Sequence, residues 1–260
     1  MSDFYGPADK GESVATIHMA LERGVTLLNT GDFYGMGHNE MLVRRAIEGK
    51  RDHAFISVKF GAQRSPTGQF IGFDTRPVAV KTALAYTLKR LGTDYVDLYQ
   101  PARVDPAMPI EETVGAIAEM VQGGFVRHIG LSEASAETVA RASAVHPIAA
   151  LETEYGILTR DIEGEILTGA RALGVVEALG RVAADKGITP TQLAIAWVLA
   201  RGDDITPLVG ARRRDRLAEA LGALEVKLSA EDLARVEAAA PPGSTAGTRY
   251  DAHQMTMVAR

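Results

Sequence analysis

The amino-acid sequence predicts an α/β fold of the (β/α)8 TIM-barrel type, incomplete at two places. Three observations predict it. Short apolar runs alternate with amphipathic helical stretches. The strand-plus-helix unit recurs about every 30 residues, the length of one such unit. Polar residues gather directly after the apolar runs, at the end of a barrel where active sites lie. With 260 residues, 46% of them hydrophobic, the chain can bury the core of a single domain spanning 1–260.

The elements follow in order. Residues 12–24 predict a helix, with Val14, Ile17, His18 and Leu21 on one face and Gly24 closing it. Residues 25–29 form a short apolar strand, and 39–48 a helix with Met41, Leu42, Arg45 and Ala46 at helical spacing. A strand at 54–58 (AFISV) ends against Lys59. The next helix covers 76–91, with Pro77 suited to its first turn. Strand 95–99, helix 110–123, strand 126–131, helix 136–145 and strand 148–154 continue the alternation. From Asp161 onward helix follows helix: 162–173, 175–186 and 189–201, with only Gly174 between the first two. One more strand, 205–209, precedes helices 213–221 and 229–239. Six strands stand where a closed barrel needs eight. One is wanting before Met1 and one near Gly174, and the edges so exposed would favour self-association.

Composition removes several function classes. A net charge of −5 argues against a nucleic-acid partner, which calls for a basic face. There is no cysteine, so neither a disulfide framework nor a thiolate metal site is expected. His38, His128 and His146 lack metal-ligand spacing, and no metal is expected. The polar opening MSDFYGPADKGES has no signal-peptide core. No apolar run approaches the roughly 18 residues of a membrane span. The expectation is a cytoplasmic protein without a membrane partner.

The polar residues after the strands are Asn29, Asp32 and Tyr34; Lys59; Gln100 and Arg103; Ser132 and Glu133; Glu152, Glu154 and Tyr155; and Gly210 with the arginines behind it. A tyrosine and a lysine on neighbouring strand ends suit acid catalysis. Free tyrosine titrates near ~10, and a close ammonium favours the phenolate. Such a pair can protonate a carbonyl oxygen as hydride reaches carbon. The same letters also fit a lysine that ends a strand and a tyrosine packed in a loop. The run Gly210-Ala-Arg-Arg-Arg-Asp-Arg216 opens a helix, a place for phosphate, and its arginines would suit the extra 2′-phosphate of NADP. It equally fits a solvated basic face.

Taken together, GVTLLNTGDFYGMGHNE, FISVKFG, LGTDYVDLYQPARVDP, VRHIGLSE, LETEYG and ITPLVGARRRDRLAEAL resemble the aldo-keto reductase superfamily, in family order and over nearly the whole chain. The resemblance implies a (β/α)8 barrel that binds NADP(H) without a Rossmann domain and reduces small carbonyl compounds through an Asp-Tyr-Lys-His tetrad. Tyr34 matches the proton donor and Lys59 the lysine. Asn29 stands where the aspartate is expected, and Ala102 where the histidine is expected. Ser132 and Glu133 match a Ser-Asn pair near the nicotinamide carboxamide, and Glu152 a carboxamide-binding glutamine. Gly210, Ala211, Arg212 and Arg216 match the loop that grips the 2′-phosphate, and Glu219 a residue near the adenine. The two missing strands match the family's first and seventh.

Three readings follow. The first is an NADPH-dependent reductase of aldehydes or ketones. The second is an impaired or non-catalytic relative that binds NADP or assembles. A cofactor-free isomerase or lyase on the same barrel is a third. On the resemblance, Lys59 keeps a hydrogen bond to Asn29 but lacks a counter-ion, so low reductase activity is expected.

Overall fold

The computed structural model describes residues 1, 8–157, 159 and 172–242. It divides into two compact units after Thr153.

In the first unit, the strands β1 (Leu27–Gly31), β2 (Phe55–Phe60), β5 (Val96–Pro101), β6 (Val126–Ser132) and β7 (Ile148–Glu152) form one parallel sheet in that order. Among the described residues the sheet stays open, with β1 and β7 at its edges. A separate antiparallel hairpin, β3 (Ala62–Arg64) with β4 (Phe70–Phe73), follows β2. The helices α1 (Lys10–Glu22), α2 (His38–Ile47), α3 (Pro77–Leu91), α4 (Ile110–Gln122) and α5 (Ala136–Val145) complete the unit.

The two-residue side-chain period divides the sheet into two faces of opposite character. Ile56, Val58 and Phe60 of β2, Tyr99 of β5, and Ile129 and Leu131 of β6 join one apolar cluster with Val80 and Leu84 of α3 and with Val114 and Ile117 of α4. Phe60 and Tyr99 stack with ring centres 4.3 Å apart. Burying one such side chain contributes about 1.5–3 kcal/mol, which explains why Ile56, Val58 and Phe60 recur at every second position of β2. The alternate positions, Asn29, Ser57, Lys59 and Gln100, turn their polar groups to the other face. Parallel register sets Asn29 beside Ser57, Lys59 beside Gln100, and Ser132 beside Glu152.

The regular elements described in the second unit include the helices α6 (Ala172–Asp185), α7 (Pro190–Leu199), α8 (Arg214–Leu221) and α9 (Ala230–Ala239). Leu179, Val182, Leu193, Trp197 and Val236 form its core. Thr189 with Gln192 caps α7 reciprocally, and Ser229 with Asp232 caps α9.

Two sequence expectations need correction, and one element is new. Residues 205–209 are not a strand. Pro207 has no N–H to give a ladder, and Leu208 and Val209 are exposed. Gly174 does not separate two helices, because α6 begins at Ala172 and runs through it; one interior glycine costs a helix only about 1 kcal/mol. The β3–β4 hairpin is absent from the sequence expectations, although Ser65-Pro-Thr-Gly68 spells its turn. The expected helix 162–173 lies largely outside the described residues. No described helix is long and apolar enough to cross a membrane.

Candidate active site

Tyr34 lies in the turn that follows β1. Its backbone N–H donates to Gly31 O at 3.1 Å, and its carbonyl accepts from Asn39 N, the start of α2, at 3.2 Å. Asp32 N donates to Lys59 O at 2.9 Å, which fastens this turn to the end of β2. Thr30 Oγ1 donates to Asn39 Oδ1 at 2.7 Å in the interior. Gly37, at φ 90°, makes the left-handed step into α2 that a side chain would resist. The outcome is a half-buried tyrosine at the carboxyl end of the sheet, with the Lys59 ammonium 5.5 Å from its ring centre.

Lys59 is buried, its side chain 8% exposed, and ammonium groups are rarely buried unpaired. Its partner is Glu152. Lys59 Nζ donates to Glu152 Oε1 at 2.5 Å. Asn29 Nδ2 donates to the same oxygen at 3.0 Å. Gln100 Nε2 donates to Glu152 Oε2 at 2.6 Å and lies 3.4 Å from Ser57 Oγ. Gln100 starts on β5 and must pass β6 to reach β7. Gly130 of β6 leaves the space: a Cβ there would come 2.7 Å from Gln100 Oε1.

This overturns the expectation that Asn29 leaves Lys59 without a counter-ion. Lys59 has one, supplied by β7 instead of β1, and Asn29 donates to that carboxylate. Gln100 was among the polar strand-end residues of the sequence, without a stated role, and Ser57 joins the site unannounced. The signal for Ser57 was available: it is polar, on β2, two residues before Lys59 and so on the same face.

Ser132 ends β6 and is buried. Glu133, next to it, is also buried and holds φ 54°, a left-handed conformation uncommon for a residue with a side chain. Its N–H donates to Glu152 O at 2.8 Å, joining the ends of β6 and β7. Ala102, at the position expected of a histidine, is buried after β5 and offers only a methyl group.

A second charged cluster backs the turn. Glu40 of α2 is fully buried and pairs with Arg90 of α3. Burial first, and then the Glu40 charge, push the Asp32 carboxyl up to about 7; Arg90 and the backbone N–H groups of Gly61 and Phe33 pull it back. Asp32 Oδ1 is buried without a hydrogen-bond partner, which suits a carboxyl that keeps its proton.

In the second unit, Gly210, Ala211 and Arg212 lie in the loop before α8, and Arg213 stands at its N-cap. Arg216 and Glu219 sit one turn apart on α8, with Arg216 Nη1 donating to Glu219 Oε2 at 2.9 Å. That pairing holds the Glu219 carboxyl below the usual range. Arg213 pairs with Asp215 at 2.5 Å. Backbone N–H groups and cations therefore share this helix start, a combination that suits an anion.

The family model of the aldo/keto reductases matches residues 2–176 and 170–241. The two matches meet where the sequence reading places a missing strand. A probable aldo-keto reductase of Glycine max is 36% identical over 94% of this chain and 84% of its own length. An aldo-keto reductase of Schizosaccharomyces pombe whose name carries NADP(+) is 32% identical over 95% and 87%. Among solved structures, a thermostable aldo-keto reductase in complex with the inhibitor epalrestat superposes with a TM-score of 0.77 at 30% identity, over 92% of this chain and 90% of that one. The glycerol dehydrogenase of Gluconobacter oxydans shares the fold, with a TM-score of 0.80 at 22% identity over 95% and 91%. The open parallel α/β sheet is thus a version of their barrel, and the chain belongs to the aldo/keto reductase family.

Proposed function

We propose that this chain reduces a small aldehyde or ketone to the alcohol with NADPH. The observation that carries the reading is the buried Lys59 ammonium held 5.5 Å from the Tyr34 ring at the carboxyl end of the parallel sheet. The NADP(+) relative supports the choice of cofactor. The residues present fit it. Arg212 and Arg216 at the start of α8 would hold a 2′-phosphate, with Gly210 and Ala211 leaving the loop backbone open to it and Glu219 near the adenine. Ser132, Glu133 and Glu152, on adjoining strand ends, would hold the carboxamide end.

Bound NADPH supplies the hydride. The protein supplies orientation and the proton. Tyr34 Oη donates its proton to the carbonyl oxygen, and the nearby Lys59 charge stabilises the phenolate left behind. Asn29, Gln100 and Glu152 fix Lys59 in place. The test is Tyr34→Phe, assayed for NADPH oxidation with a reactive aldehyde and for cofactor binding by nicotinamide fluorescence. Loss of roughly 10²-fold or more in turnover with binding retained supports the role. A Tyr34→Phe enzyme as fast as wild type refutes it.

Ala102 favours a second reading, a relative that binds NADP and does not reduce, since a methyl group cannot orient a carbonyl. Wild-type protein that binds NADPH and never oxidises it with any aldehyde would select that reading.

A further inference from the structure

Among the described strand residues, the polar face of the sheet holds one lysine, Lys59, and one carboxylate, Glu152, and the two lie on strands at different places in the sheet, β2 and β7. We infer that Glu152 is the counter-ion of Lys59, and hence the positioning residue of the Tyr34–Lys59 pair, with Asn29 as its neutral anchor. The inference rests on the catalytic reading above for its consequence in turnover, but not for its electrostatics.

Three donors converge on Glu152: Lys59 and Asn29 on Oε1, Gln100 on Oε2. A carboxylate so surrounded is held in one orientation. The side chains are largely out of water, 8% exposed at Lys59 and 21% at Glu152, so the attraction is little screened. Among the described strand residues, Lys59 and Glu152 form the one ion pair of this face, beside uncharged Asn29, Ser57 and Gln100, with His128 farther back along β6 against Phe55. An aspartate at 29 would set a second carboxylate against Glu152 with one cation between them, an arrangement that disfavours ionisation of both. A neutral residue at 29 and an anion at 152 therefore form one device. Either can be exchanged only together with the other. Because Asn29 and Lys59 bind the same oxygen, the end of side chain 29 is already close to Lys59, and an anion moved there could serve it.

The experiment compares wild type with Glu152→Gln, Asn29→Asp and the double exchange Asn29→Asp/Glu152→Gln. Glu152→Gln should lower kcat about tenfold or more, a share of what a positioned acid contributes, and should move the alkaline limb of its pH profile to lower pH, because an unpaired buried ammonium sheds its proton. The double exchange should recover most of the lost turnover and return the limb. Asn29→Asp alone should lower both turnover and stability. Folding of each variant is checked by circular dichroism, and Glu152→Asp, which keeps the charge on a shorter arm, should fall between wild type and Glu152→Gln. An independent arm follows the Lys59 side-chain signal by NMR. It should titrate at lower pH in Glu152→Gln than in wild type and return in the double exchange. This arm reads the pairing even in a protein without reductase activity, so a failure of the catalytic reading stays separate from a failure of the counter-ion assignment. An unchanged Lys59 titration and pH profile in Glu152→Gln overturns the inference. So does a Glu152→Gln enzyme that binds NADPH weakly but keeps its kcat, which would make Glu152 a cofactor ligand only. A double exchange with no recovery overturns it as well.

Discussion

Replacing Asp32 by asparagine should make the protein more stable, and increasingly so as pH rises. Asp32 sits in the turn that presents Tyr34, close to the buried Glu40, and burial with that neighbour lifts its carboxyl from 3.8 to about 7. Its folded pKa lies above its unfolded one, so the folded state binds the extra proton between about pH 4 and pH 7. In that window the native state holds more protons than the unfolded chain, and stability falls as pH rises. The slope is about 1.4 kcal/mol per pH unit, and the shift from 3.8 to about 7 makes the whole loss at most about 4 kcal/mol, reached above pH 7. That is a large share of the roughly 5–15 kcal/mol of a typical domain. The amide introduced by Asp32→Asn has the shape of the protonated acid and never ionises, so the variant avoids the loss. The assay is urea unfolding of both proteins at pH 5, 6, 7 and 8, with m-values compared to verify that the unfolded states match. The stability advantage of Asp32→Asn should grow between pH 5 and 7 and level off above. Parallel curves, or an advantage that shrinks with rising pH, would show that Asp32 is ionised throughout and refute the reasoning.

Two further predictions follow from the site. Replacing Arg212 and Arg216 together by alanine should weaken NADPH binding far more than NADH binding, each lost charge-assisted contact being worth roughly 1.5–3 kcal/mol; nicotinamide fluorescence with both cofactors decides, and equal weakening removes the phosphate assignment. Gly130→Ala should drive Gln100 off Glu152, since the new methyl would sit 2.7 Å from Gln100 Oε1. The expected cost is about 1–3 kcal/mol of overpacking, with reduced turnover, measured by thermal unfolding and the aldehyde assay; an unchanged melting temperature would show that Gln100 has room to move.

Elements were legible where local chemistry and tertiary packing agree. The strands at 54–58 and 95–99 read from sequence overlap β2 and β5, shifted by one or two residues at their ends, because a strand apolar on its core face announces itself as a run of Ile, Val, Phe and Tyr. The helix at 76–91 was equally plain from Pro77 at its start and matches α3; that at 136–145 matches α5, which Ser135 caps by accepting from Thr138 N. Residues 205–209 misled for a physical reason. Ile205 and Val209 have strand propensity, but propensity describes fit to a pleated surface, and a segment broken by Pro207 pairs with no strand among the described residues. Gly174 misled in the opposite sense, as a breaker that neighbouring helix formers override.

The candidate site was legible in its parts and not in its wiring. Read position by position, Asn29 is a lost charge, and Glu152 is only a residue at the place of a carboxamide-binding glutamine. In the fold, 123 residues of separation close to a 3.0 Å hydrogen bond, and the two departures become one balanced arrangement around Lys59. The physical requirement on this face is that a buried ammonium have one anion within reach. It does not specify which strand supplies it. A parallel sheet brings several strand ends to one level, so the anion can move from β1 to β7 while Lys59 stays beside Tyr34. Compensation of this kind leaves no local trace in sequence, because neither residue's neighbours along the chain record the other. For the same reason, the absence of a charge at 29 is no argument against catalysis here. The stronger argument against it is Ala102, whose methyl group cannot do what an imidazole at that strand end would do for a carbonyl.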